Sequence, residues 1–201
     1  MAADRDAVLL DWGGVMTSSL FGSFEEFCRA EGLAAAAVAD LFRHDRESRK
    51  ALIDFECGRL ADDAFEPRLA AALGLADADG LIDRLFAGAR VDDDMVRGVR
   101  ALRDRGVRTG LVSNSWGTRR YPRELLAELF DGVVLSGEEG FRKPDPRMYA
   151  LGAQRIGEPP ERCVFVDDLA FNLDPARELG MAVVHHTEPA TTLAELERLT
   201  S

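Results

Sequence analysis

Lysine is almost missing from this chain of 201 residues: Lys50 and Lys143 are the only two among 25 basic residues, so 25 − 2 = 23 are arginine. No stretch concentrates Lys and Arg, and 36 acidic residues leave a formal charge of 25 − 36 = −11. A nucleic-acid-binding face needs clustered cations to neutralise phosphates, so the composition argues against nucleic acid, and against anionic membranes on the same ground. Cysteine is scarce as well. Cys28, Cys57 and Cys163 are odd in number and lack the short paired spacing of a zinc knuckle or redox dithiol, which predicts reduced, packed thiols. No apolar run approaches the roughly 20 residues that span a bilayer, and Met1 to Arg5 carry no signal-peptide pattern, so a cytoplasmic protein outside the membrane is expected.

What is present suits a folded globular chain. Hydrophobic residues make up 46% and charged residues 30%, the composition of a chain that buries a core, and the length fits one domain with a modest insertion. Short apolar runs at Ala7 to Leu10, Thr109 to Val112, Gly132 to Leu135, Cys163 to Val166 and Ala182 to Val184 read as buried strands. Amphipathic stretches at Asp93 to Arg105, Pro122 to Leu129, Pro146 to Ile156 and Pro175 to Leu179 alternate with them, and Thr191 to Leu199 adds a last helix. Alternation of this kind predicts an α/β fold with a doubly wound parallel sheet. Between Thr17 and about Val91 the rhythm stops. Helical periodicity follows Ser23 and recurs at Ala36 to Arg43, Asp63 to Leu73 and Asp79 to Ala87, predicting an all-helical insertion. Asp92, Asp93 and Asp94 read as a helix cap on the return to the core.

Polar residues of complementary type sit at the ends of these runs, and the strand ends of an open parallel sheet converge where ligands bind. Asp11 follows Val8, Leu9 and Leu10 and precedes Gly13 and Gly14; alone, that is equally a plain turn. Ser113 and Asn114 offer a hydroxyl and an amide, or a helix cap. Lys143 lies in a loop stiffened by Pro144 and Pro146, where it is either a phosphoryl-binding ammonium or a solvated charge. Asp167 and Asp168 repel each other unless a cation lies near, and oxygen-only ligation suits Mg²⁺; the plainer alternative is a capping pair.

In combination the order Asp11, Ser113, Lys143 within Lys143-Pro144-Asp145-Pro146, and Val166-Asp167-Asp168 resembles the haloacid dehalogenase superfamily over nearly the whole chain. Phe165 to Met181 and Ser113-Asn114-Ser115-Trp116 are similar to the branch that includes the N-terminal phosphatase domain of soluble epoxide hydrolase. The resemblance implies a Rossmann-like core, here residues 1–16 and 91–201, with a helical cap over 17–90. It implies a phosphatase of small phosphorylated metabolites in which Asp11 attacks phosphorus and forms an aspartyl-phosphate. Ser113 and Lys143 would hold phosphoryl oxygens, supported by Asn114 and the amides of Trp12 and Gly13. Mg²⁺ would sit between Asp11, the Gly13 carbonyl, Asp168 and Asp167, with Asn172 behind them. A dianionic phosphate approaching Asp11 is repelled by about 4 kcal/mol per unit-charge pair at 4 Å and an effective dielectric of 20, which Mg²⁺ and Lys143 would overturn.

The pattern departs from the family at Gly13, where its phosphatases usually carry a second aspartate that protonates the leaving group, a help worth about 10²–10⁴-fold. Either the leaving group is already acidic or a residue such as His44 supplies the proton, although His44 reads more plainly as an exposed helix end. The alternatives are a 2-haloacid dehalogenase, which the acidic pair opposes, and a catalytically weakened binding or scaffold protein. Phe21, Phe24 and Trp116 read as pocket lining or core, Arg119, Arg120 and Arg123 as a solvated helix start, and His185 with His186 as no zinc site. A monomer or a homodimer joined through the cap is expected.

Overall fold

A computed structural model describes residues 5–200; residues 1–4, most of the N-terminal stretch considered above, and residue 201 lie outside the described residues. Strand β1 (Ala7–Leu10) is followed by helices α1 (Leu20–Ala30), α2 (Ala37–His44), α3 (Arg46–Glu56), α4 (Asp62–Leu73) and α5 (Leu81–Leu85). The core resumes with α6 (Asp93–Asp104), β2 (Arg108–Ser113), α7 (Arg123–Leu129), β3 (Gly132–Leu135), α8 (Ser136–Glu139) and α9 (Pro146–Ile156). It closes with β4 (Cys163–Asp167), α10 (Leu173–Glu178), β5 (Ala182–His185) and α11 (Pro189–Leu199).

The five strands pair in parallel in the order β3-β2-β1-β4-β5, the doubly wound arrangement expected from the alternation. β1 is central and every one of its side chains is buried. Because side chains alternate along a strand, Val8 and Leu10 pack on one face with Met95, Val99, Leu126 and Leu196, while Ala7 and Leu9 pack on the other with Met148, Ala153 and Leu173. Each buried Val or Leu contributes about 1.5–3 kcal/mol, so the apolar run is held between two helical layers.

A third apolar cluster belongs to the inserted helices, gathered around Phe24, Phe55, Phe65 and Leu81, with Trp116 of the core packed against it. The chain leaves and re-enters the core side by side: Thr17 and Val91 form an antiparallel bridge, and the Ser18 amide donates to the Arg90 carbonyl at 2.7 Å. Asp92 caps α6 by accepting from the Met95 amide, as the acidic triplet predicted. Helix α3 was not expected. Its first five residues are all polar, and the apolar ones that pack on the insertion's core, Ala51, Leu52 and Phe55, come only in its second half. Cys28, Cys57 and Cys163 are buried free thiols, and no helix of the described residues is long and apolar enough to cross a membrane.

Candidate active site

Parallel pairing in register carries the ends of β1, β2 and β4 to one edge of the sheet. The Asp11 amide extends the ladder by donating to the Val166 carbonyl at 3.0 Å, which sets the Asp11 carboxylate beside the end of β4. Lys143, in the loop between α8 and α9, reaches this edge with no exposed surface at all. Its Nζ lies 2.9 Å from Asp11 Oδ1 and 2.6 Å from Asp167 Oδ2. Burial works against the charge, yet Asp11 and Asp167 outweigh it and hold the ammonium above the ordinary lysine range. The loop is fixed by Asn114, whose Oδ1 accepts from the Lys143 amide at 2.8 Å while Nδ2 donates to the Lys143 carbonyl at 3.1 Å.

Asp167 is engaged on both oxygens. Oδ2 takes the lysine, and Oδ1 accepts from the Leu169 amide at 2.9 Å and Asn172 Nδ2 at 3.0 Å. Asp168 is less enclosed, and Gly14 makes room for it: at φ 76° Gly14 lies in the left-handed region, and a Cβ there would stand 2.3 Å from Asp168 Oδ2. Carboxylate oxygens of Asp11, Asp167 and Asp168 all lie within 4.8 Å of one another. Burial, followed by the neighbouring aspartates and offset in part by Lys143, pushes Asp11 up to about 7. Burial and then Asp167 push Asp168 up to about 6. Three carboxylates against one ammonium leave negative charge uncompensated, and an all-oxygen donor set of this kind fits a hard divalent cation.

Ser113 Oγ, at the end of β2, is 2.9 Å from Tyr121 Oη, a buried hydroxyl that the sequence reading did not single out because one Tyr beside Pro122 carries no pattern. Trp12 was expected to offer its amide to a phosphate; here that amide donates to Asp11 Oδ1 at 2.7 Å and so orients the carboxylate. Over this edge opens a cavity of about 320 Å³ whose walls include Trp12, Gly13, Leu20, Phe86, Ser113, Asn114, Trp116 and Tyr121.

Trp116 therefore belongs to both the cavity wall and the aromatic cluster of the inserted helices, 5.7 Å from Phe24 between ring centroids. Phe24 is buried and Phe21 exposed, and neither lines the cavity. Arg119 is exposed as expected, but Arg120 is not solvated, and both are paired with acids of the insertion. Arg120 pairs with Asp62 at 2.8 Å and Asp83 at 2.6 Å, and Arg119 with Asp62 at 2.9 Å, tying the core to the insertion. Arg123 remains outside, paired with Glu138. His44 is exposed and does not line the cavity. His185 Nε2 contacts the Asp168 carbonyl and His186 Nδ1 the Thr192 hydroxyl, and neither imidazole belongs to the metal-ligating cluster of side chains found among the described residues.

A parallel sheet whose edge presents clustered aspartates and a buried lysine beneath a helical insertion defines a hydrolase of the capped Rossmann-like class. The model of the haloacid dehalogenase-like hydrolases matches residues 5–180, and the chain belongs to that family. It is 30% identical to bifunctional epoxide hydrolase 2 of Rattus norvegicus over 127 residues, 60% of this chain and 23% of that protein. The chain thus spans under a quarter of that relative's length. Against sesquiterpene phosphatase astK of Aspergillus oryzae the identity is 31% over 150 residues, covering 72% of this chain and 76% of the relative. A HAD family enzyme of Bacteroides thetaiotaomicron, solved with magnesium and inorganic phosphate, shares the fold at a TM-score of 0.66 and 18% identity over 91% of this chain and 94% of the other.

Proposed function

We propose that the protein is a Mg²⁺-dependent phosphatase of small phosphorylated metabolites, in which residues 17–90 form the cap and Asp11 is the nucleophile. The observation that carries this reading is the Lys143 ammonium, wholly buried and 2.9 Å from Asp11 Oδ1 within a cluster of three aspartates. A lysine there keeps Asp11 anionic enough to attack and offers its charge to the equatorial oxygens of a phosphoryl group. Ser113, Asn114 and the Gly13 amide would complete the cradle, while the Trp12 amide and Asp167 orient Asp11 and Lys143.

Asp11, Asp168 and the Gly13 carbonyl, with Asp167 beside them, would hold Mg²⁺, which supplies positive charge against both the carboxylates and the phosphoryl oxygens. Asp11 then forms a bond to phosphorus as the ester oxygen departs, and water hydrolyses the aspartyl-phosphate to release phosphate and restore the carboxylate. Support comes from the sesquiterpene phosphatase relative and from the magnesium and phosphate complex of the structural neighbour.

Phosphate release from aryl phosphates and a metabolite panel, with Mg²⁺ and with chelator, tests the reading. Turnover that requires both Mg²⁺ and Asp11, lost in Asp11→Asn, is expected. No turnover from any ester, or chloride release from a 2-haloacid without metal, would replace it with another function.

A further inference from the structure

The cavity above Asp11 adjoins Ser113, Asn114 and Gly13 and is therefore the side on which an ester's leaving group lies once its phosphoryl group faces Asp11. None of its lining side chains is a carboxylic acid or an imidazole. The direction from Gly13 in which an acid would project is filled: a Cβ on Gly13 would stand 2.5 Å from Leu20 Cδ1. Tyr121 is no substitute donor, because its hydroxyl is 2.9 Å from Ser113 Oγ and burial makes it a weaker acid than an ordinary tyrosine. Glu56 of the insertion stands outside the lining with its Oε2 2.6 Å from Arg142 Nη1, and Asp62 and Asp83 are held by Arg120.

The same wall is apolar. Trp12, Leu20, Phe86, Val91 and Trp116 all line it, and the one cation among the lining residues, Arg120, is paired with Asp62 at 2.8 Å and Asp83 at 2.6 Å. A polar or anionic alcohol would lose its water there with little to replace it beyond the Arg120 guanidinium, whose buried Nη2 makes no hydrogen bond.

We propose that the cavity selects phosphate monoesters of apolar, acidic hydroxyls, phenols and enols above all, whose oxygen leaves without being protonated. This rests on the phosphatase reading. As the bond from Asp11 to phosphorus forms, the bond from phosphorus to the aryl oxygen breaks and its electron pair leaves on a phenolate, which takes a proton from solvent. Water then breaks the bond between phosphorus and Asp11, its oxygen and one proton leaving with the phosphate. The sum is ester plus water to phenol plus hydrogen phosphate.

The test is kcat/KM for phosphate release by the Mg²⁺-loaded protein from 4-nitrophenyl, phenyl, 2-naphthyl and benzyl phosphates. Phenyl and benzyl esters are close in size and polarity but release a phenolate and an alkoxide, so benzyl phosphate should be slower by about 10²-fold or more in the absence of a general acid. The second ring of 2-naphthyl phosphate should raise kcat/KM about fivefold over phenyl by burial against the apolar wall. Benzyl phosphate within about threefold of phenyl would overturn the inference and leave the phosphatase reading standing. Glycerol phosphate turned over as well as 2-naphthyl phosphate would do the same. Silence from every ester would overturn both.

Discussion

Asn114 and Lys143, 29 positions apart in the chain, are joined by two hydrogen bonds, Asn114 Oδ1 accepting from the Lys143 amide at 2.8 Å and Nδ2 donating to its carbonyl at 3.1 Å. A side-chain amide here does what a backbone strand would do, fixing the loop that carries the lysine to the end of β2.

Asn114→Asp is the informative change at this position, because it keeps the shape and replaces the donor with an oxygen facing the Lys143 carbonyl. Loss of one hydrogen bond and a new repulsion should lower kcat/KM by about tenfold to a hundredfold while the fold persists. Phosphate release and far-ultraviolet circular dichroism together check it. Activity equal to the parent would mean the pairing does not position Lys143.

Lys143→Met removes the only cation between two buried carboxylates and should destabilise the fold by about 3–5 kcal/mol, with activity below detection. Lys143→Arg should fail as well, since the ammonium site is wholly enclosed and a planar guanidinium does not fit the space of a point charge. Urea unfolding together with phosphate release by the three proteins checks both statements. Recovery of more than about a tenth of the activity by the arginine variant would show that charge alone suffices there.

The parallel strands, the helical insertion and the convergence of Asp11, Ser113, Lys143, Asp167 and Asp168 were legible in the sequence, because buried strands are continuous apolar runs and their polar ends are local signals. What escaped was relational. Arg120 looks solvated beside Arg119, and only the folded chain brings Asp62 and Asp83 to it. Helix α3 hid because it presents mostly polar side chains, and the Trp12 amide turned inward to Asp11 because a backbone donor leaves no trace in residue type. The emptiness at Gly13 was visible as a missing acid, but not that Leu20, seven positions on, fills the space.

Glu56 gives a prediction on pH. Burial, offset in part by Arg142 and Lys143, pushes its carboxyl from 4.5 up to about 7. Between those values the unfolded chain releases the proton and the folded one keeps it, so the folded state loses stability as pH rises from 4.5 through 7 and no more above that. The full difference is on the order of 3 kcal/mol. Glu56→Gln should therefore unfold at higher urea than the parent at pH 8, by about 1–3 kcal/mol, and converge with it near pH 4.5, measured in chelator. Parallel curves at every pH would place the proton elsewhere.

The close approach of Gly14 to Asp168 predicts how metal affinity responds to a single methyl group. Gly14→Ala must hold a left-handed φ of 76° and place its Cβ 2.3 Å from Asp168 Oδ2, so the carboxylate has to leave its present position in the cluster. The backbone cost alone is about 1–2 kcal/mol. In the parent, Mg²⁺ at a hundred times its Kd should stabilise by about 3 kcal/mol and raise Tm by several degrees, since it binds the folded cluster and not the unfolded chain. In Gly14→Ala the Mg²⁺-dependent rise should fall to less than half at the same concentration, in step with Asp168→Asn, which displaces nothing and removes only charge. Thermal unfolding across a Mg²⁺ series checks this with no substrate present. An undiminished rise in both variants would mean that the ion is held without Asp168, and would remove it from the proposed metal site.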